Sequence, residues 1–130
     1  MAEKRISLTQ AEWSVMERLW EEGALTGREV VRRMEKSCGW SRSTTLTLLS
    51  RLESKGALRS VPAEKGPKVF SALLRREEAA LEETKDFLNR VYQGSLSLMV
   101  SSLTKKQAVS REELDELYEL LKGLEEERHD

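Results

Sequence analysis

At 130 residues the chain has room for one compact domain with an appendage, or for two small units. Charged residues make up 35% and aromatics 5%, which leaves too little apolar mass for two independent cores and favours burial against a second copy. A single cysteine rules out an intramolecular disulfide and a Cys-rich metal site, and the Met-Ala-Glu-Lys-Arg start shows no apolar run of the signal-peptide or membrane-spanning kind, so a reduced, cytoplasmic setting is expected.

Thr9 followed by Glu12 has capping-box spacing and opens a helix from Ala11 to Glu22, with Gly23 as its stop. Trp13, Val15, Met16, Leu19 and Trp20 cover a broad apolar face that supplies core. Trp13, Trp20 and Trp40 could instead be stacking platforms for single strands, but all three lie on or beside apolar faces and no β-barrel pattern surrounds them. Thr26 and Glu29 repeat the capping box, and Leu25, Val30, Val31 and Met34 give the second helix its buried side. Cys38, just beyond it, reads as a half-buried packing residue rather than a redox sensor.

Ser41 caps a third helix running to about Lys55, and Gly56 is its left-handed stop. Thr45, Leu48, Leu49 and Leu52 form one inward stripe. The opposite face carries Ser43, Leu46, Thr47, Ser50 and Ser54, flanked by Arg42, Thr44 and Arg51. It holds no acid, in a chain rich in glutamate. Small hydroxyls allow close approach to base edges and phosphates, and arginine can donate two parallel hydrogen bonds to guanine or phosphate. A merely polar, solvated helix is the plainer alternative; what comes next argues against it.

Residues 57–61 and 68–73 read as two strands joined by Pro62-Ala63-Glu64-Lys65-Gly66-Pro67, a hairpin whose Gly-Pro tip cannot extend the ladder. Lys65 and Lys68 project from this wing, where a flanking phosphate backbone can be gripped. Helix, turn, helix and hairpin in this order make a winged helix-turn-helix, with double-stranded DNA as the leading partner.

From Arg75 the chain turns into helices with few breakers. Leu81, Phe87, Leu88 and Val91 form an apolar path before Gly94, and Tyr92 sits beside it. Leu96, Met99, Val100 and Leu103 mark a second, short helix. Ser110 with Glu113 is a third capping box, opening a helix with Leu114, Leu117, Tyr118, Leu121 and Leu124 on one side. Three such helices cannot each bury a stripe within one thin tail, so a homodimer through residues 76–127 is expected. Packing of the tail back on its own head, as a monomer, is the competing arrangement.

The expected architecture is therefore mainly α: a winged helix-turn-helix domain over 1–75, with three helices and a small β-hairpin wing, followed by a helical dimerisation domain over 76–130. Charge divides along the same line. Residues 1–75 hold 14 Lys+Arg and 9 Asp+Glu, a balance of +5, whereas residues 76–130 hold 8 and 14, a balance of −6. A basic head on an acidic tail is the pattern of a phosphate-seeking module, hidden by the overall charge of −1. Enzyme chemistry has no foothold. The lone histidine is His129, at an acidic end where a solvated terminus outweighs ion binding, and no Gly-rich phosphate loop or His-Glu-x-x-His pair occurs. No cofactor is expected. A helical protein-interaction adaptor, or an architectural DNA-binding protein without a switch, stands as the alternative; the adaptor has no need of the basic head.

Several collinear runs carry a family resemblance: Leu8-Thr9-Gln10-Ala11-Glu12-Trp13-Ser14-Val15-Met16 with Leu19-Trp20, Trp40-Ser41 through Thr44, Thr47 with Arg51-Leu52, and Lys55-Gly56-Ala57-Leu58. In the tail they continue as 87–96, Met99-Val100 and 113–118. Together they resemble the penicillinase-repressor family (BlaI/MecI/CopY type) over nearly the whole chain. The resemblance implies a dimeric transcriptional repressor on a palindromic operator, of the β-lactamase and antibiotic-resistance regulator type. It also implies DNA contacts at Ser43, Thr44, Thr47 and Arg51, helped by Arg42 and the wing. In the antibiotic-resistance members a membrane-bound sensor triggers proteolysis in the dimerisation region. The matching bond here is Ser102–Leu103, without the usual asparagine–phenylalanine-like pair. Ser43 replaces a lysine common in those members, and Leu46 replaces a polar residue and can meet a thymine methyl. The cysteine-rich C-terminal motif of copper-responsive members has no counterpart after Cys38, so no metal switch is expected.

Overall fold

A computed structural model describes residues 5–128; His129 lies outside them, so the reading of it as an ion ligand has no structural counterpart. The elements in chain order are α1 Gln10–Glu22, β1 Leu25–Thr26, α2 Gly27–Cys38, α3 Arg42–Lys55, β2 Leu58–Val61, β3 Val69–Ala72, α4 Arg76–Tyr92, α5 Leu96–Lys105 and α6 Arg111–Arg128. Mainly α, with a winged helix-turn-helix at the front, is the fold observed. The chain divides into two compact units, Met1–Lys85 and Asp86–Asp130, with the seam inside α4.

In the first unit the helix starts follow from their caps. Thr9 and Glu12 exchange backbone hydrogen bonds at 3.1 and 2.8 Å, and Thr26 and Glu29 do so at 3.1 and 3.0 Å. Each cap contributes about 1 kcal/mol by satisfying amide groups that the first helical turn leaves unpaired. Gly56 ends α3 in the left-handed conformation, φ 82° and ψ 14°, which a side chain would strain. The core gathers Val15, Met16 and Leu19 of α1, Val30 and Met34 of α2, Leu48, Leu49 and Leu52 of α3, and Leu58 and Phe70 of the sheet. Trp13 and Trp20 meet edge to face at 5.1 Å, and the Trp20 indole donates to the Leu74 carbonyl at 2.9 Å. Their rings are used in packing rather than offered to bases.

Four features differ from the sequence expectation. The hairpin is part of a three-stranded antiparallel sheet, order β1-β3-β2, in which Leu25 pairs with Phe70 and Thr26 with Val69. Two residues have no readable periodicity, and Thr26 fits the strand because an N-cap is already extended. Cys38 is exposed, not half-buried: it follows Met34 by one turn on the same side of α2, but as the last residue it stands at the open end of the helix. Val31 is only half-buried, because it stands at the rim of an open groove. At α6 only the forward bond of the capping box is present, Glu113 N–H to Ser110 Oγ at 3.1 Å.

Glu12 is buried to 1% exposure, although it reads from sequence only as a cap. Its Oε1 accepts from Thr9 N–H and from Lys55 Nζ, the latter at 2.6 Å. Burial alone would raise its pKa, but the hydrogen bonds from Lys55 and Thr9 and the Lys55 charge outweigh burial and hold the carboxyl below its ordinary value. A depressed pKa contributes stability above the unfolded pKa, and that contribution is lost as pH falls through the folded value. Lys55→Met should cost about 2 kcal/mol at pH 7, less than a fully buried pair because the lysine is partly solvated. Denaturant melts should show the gap to the native chain narrowing as pH falls through the carboxylate range, because the buried carboxyl left without its lysine becomes neutral there while the native pair is also lost on protonation. A gap that is constant across pH would refute the pairing.

Candidate nucleic-acid interface

The outer face of α3 is built by its inner one. Thr45, Leu48, Leu49 and Leu52 are buried, which fixes the rotation of the helix and turns Arg42, Ser43, Thr44, Leu46, Thr47, Ser50 and Arg51 outward, all of them exposed. Ser41 Oγ accepts the Thr44 N–H at 3.2 Å and lies 3.0 Å from Thr44 Oγ1 and 3.2 Å from Ser43 Oγ. Three hydroxyls thus converge on the helix start, where unpaired N–H groups and the helix dipole favour an anion. Among the described residues, neither Arg42 nor Arg51 has a carboxylate within ion-pairing distance, whereas Arg18, Arg33 and Arg76 each do. These two guanidiniums retain their full hydrogen-bonding capacity for a ligand.

The wing stands beside this face. Lys65 and Lys68 are both exposed, and the Lys68 ammonium sits 5.4 Å from the centre of the Phe70 ring. Between wing, α2 and α3 runs an open groove of about 570 Å³, with Leu46, Leu49, Val31 and Phe70 giving it an apolar lining. Arg28, Arg42 and Lys68 bring three positive charges to it, and Glu53 the one acid. Arg28 and Glu53 escaped the sequence reading. Helix periodicity places a residue on its own helix, but not beside a hairpin distant in sequence. Hydrogen bonds from Ser60 hold the Glu53 carboxyl below its ordinary pKa, and the Lys68 charge adds to this.

The second unit holds the remaining candidates. Phe87 and Tyr92 of α4 meet edge to face at 6.0 Å, and Tyr92 Oη lies 3.0 Å from Ser102 Oγ of α5. No residue of α5 or α6 is buried. Leu88, Met99, Leu114 and Leu117 are half-buried, and Phe87, Leu96, Tyr118, Leu121 and Leu124 are exposed. Leu98 and Leu120, unremarked from the sequence, are exposed too, and Leu120 is 67% accessible. Ser102 and Leu103 lie inside α5, in helical rather than extended backbone.

An open helix-turn-helix face with uncommitted arginines and a lysine-bearing wing defines a winged-helix module of the DNA-binding type. The sequence profile of the penicillinase repressor family matches residues 8–123, and the chain belongs to that family. It is similar to the penicillinase repressor of Bacillus licheniformis, with 35% identity over 116 residues and 88% of each chain covered. It is 28% identical to the methicillin resistance regulatory protein MecI of Staphylococcus aureus, covering 93% of this chain and 98% of that one. Among solved structures it resembles the Bacillus licheniformis BlaI monomer in complex with the blaP half-operator, with TM-score 0.53 and 28% identity over 58% of this chain and 93% of that one. The chain is a DNA-binding transcriptional repressor and not an enzyme.

Proposed function

We propose that this repressor binds an inverted-repeat operator as a homodimer and controls a gene of the β-lactam-resistance type. The observation that carries the reading is the outer face of α3, where Arg42 and Arg51 have no carboxylate within ion-pairing distance among the described residues and the one acid, Glu53, is tied to Ser60. Arg42, Ser43, Thr44, Leu46, Thr47 and Arg51 enter the major groove, and Lys65 and Lys68 hold a flanking phosphate backbone. The Bacillus licheniformis relative, solved as a monomer on a half-operator, supports one head per half-site. Residues 1–75 then act as the DNA-binding domain and 76–130 as the dimerisation domain. Phe87, Leu88, Tyr92, Leu96, Met99, Leu114, Leu117, Tyr118, Leu121 and Leu124 form the shared apolar face. A surface with this much exposed leucine is unstable in water unless a partner covers it, and a second copy supplies the same patch by twofold symmetry. Among the described residues no helix is long and apolar enough to cross a membrane. The resemblance further implies a membrane sensor protease, acting indirectly, as a partner.

Sequencing of genomic fragments captured by the purified protein tests the whole reading. An enriched inverted repeat upstream of a resistance gene is the expected outcome, and no enrichment at low salt would sink it. Arg51→Ala should weaken binding to that repeat about tenfold or more, with the melting temperature unchanged. Lys65→Ala with Lys68→Ala should lower affinity for every duplex alike and reduce the salt slope by about 1 per lost phosphate contact; altered base preference would mean instead that the wing reads sequence. Leu117→Asp should convert the dimer to a folded monomer by light scattering, and an unchanged mass would exclude the proposed interface.

A further inference from the structure

The groove side of α3 contains a carboxylate where DNA would least favour one. Glu53 follows Leu46 and Ser50 at i+7 and i+3 and lines the groove with Arg28, Arg42 and Lys68. It also lies in the last turn of α3, where the helix dipole disfavours negative charge. Both placements are costly for a residue whose only role is solvation. Its contacts account for it. Glu53 Oε2 accepts from Ser60 Oγ at 2.7 Å and from Ser60 N–H at 3.2 Å. Ser60 lies on β2, an edge strand of the sheet, opposite Phe70 of β3. Its outward N–H would otherwise face solvent.

We propose that Glu53 is a positioning residue for DNA binding: it braces the wing against the recognition helix and so fixes where Lys68 stands, without itself touching DNA. This rests on the reading of α3 and the wing as the DNA-binding surface. The brace is short and direct. Glu53 is two residues beyond Arg51 on α3, and Ser60 joins through its partner Phe70 to the ring beneath the Lys68 ammonium. Elsewhere the strand is held near its base, where Leu73 and Leu74 N–H donate to the Ala57 carbonyl at 2.9 and 3.0 Å. Above that point the Glu53–Ser60 pair is the polar tie between helix and wing among the described residues.

The sign of the mutational effect separates this role from ordinary solvation. Removing an acid beside phosphates should tighten binding if Glu53 only repels DNA. As a brace, Glu53→Ala should instead weaken binding about fivefold. Glu53→Gln keeps an acceptor for Ser60 while removing the charge, and should bind at least as tightly as the native protein. Lys68→Ala should cost less in the Glu53→Ala background than alone, because a loose wing no longer presents the lysine. In the protein without DNA, Glu53→Ala should speed hydrogen exchange at the Ser60 amide and leave the amides of α1 unchanged. The probe is the operator duplex recovered by genomic capture. If the native protein retains no duplex, the DNA-binding reading fails. If the native protein binds and Glu53→Ala binds as tightly or more tightly, the brace is overturned, as it is if Ser60 exchange does not change.

Discussion

One buried carboxylate ties the head together. Glu12 completes the cap of α1, and the same oxygen that accepts from Thr9 also receives the ammonium of Lys55 at the end of α3. Lys55 donates in turn to the Ser7 carbonyl at 2.8 Å, so the segment ahead of α1 is bound into the same junction. Removing such a charge from water is costly, and its second oxygen has no partner. The arrangement stands because three hydrogen-bond donors and acceptors from separate segments meet at one point. An apolar pair of equal volume would pack there without specifying which turn of α3 faces α1. The ion pair selects a register, and the stripe Thr45, Leu48, Leu49 and Leu52 then sets the rotation.

With its inner side and its end fixed, α3 presents its outer face to solvent, with Glu53 alone tied to the wing through Ser60. Several arginines elsewhere on the head are committed, among them Arg18 to Glu21, Arg33 to Glu22 and Arg76 to Glu17. On the outer face of α3 they are not. The contrast is more informative than the number of basic residues, because a guanidinium already paired has little to offer a phosphate. Rigidity counts here as well. Side chains that must meet base edges need a backbone that does not rotate, and the junction at Lys55 together with the stripe provides one.

The head was legible in the sequence to the extent that its determinants are local. Capping boxes, the glycine stops of α1 and α3, the stripe of α3 and the Gly-Pro wing tip all act over a few residues, and each element they mark is present. What escaped is non-local. β1 exists only because Phe70 and Val69 arrive from 45 and 43 residues away to pair with Leu25 and Thr26. The burial of Glu12 depends on a lysine 43 positions on. Arg28 and Glu53 became part of a groove only once the hairpin folded beside them. Cys38 was misjudged for a related reason: residue type suggested burial, while its place at the open end of α2 decided exposure. The outward positions of α3 were legible as a face, since a face needs only the 3.6-residue period.

The tail obeys a different constraint. Tyr92 and Ser102 join α4 to α5, and Ser102 also donates to the Met99 carbonyl at 3.0 Å, so the segment 99–103 is held in helical form by its own hydroxyl and by the tyrosine. A protease reads extended backbone, so cleavage between Ser102 and Leu103 requires α5 to unwind first. Leu103 is 38% exposed and α5 buries nothing within its own protomer, so a single copy gives that helix little resistance to unwinding. A second copy covering Leu96, Met99 and Leu103 would supply the resistance that is missing. In the proposed dimer, association and resistance to proteolysis would be the same free energy seen from two sides: separating the two copies would make the α5 backbone available, and cutting it would remove the face proposed to hold them together.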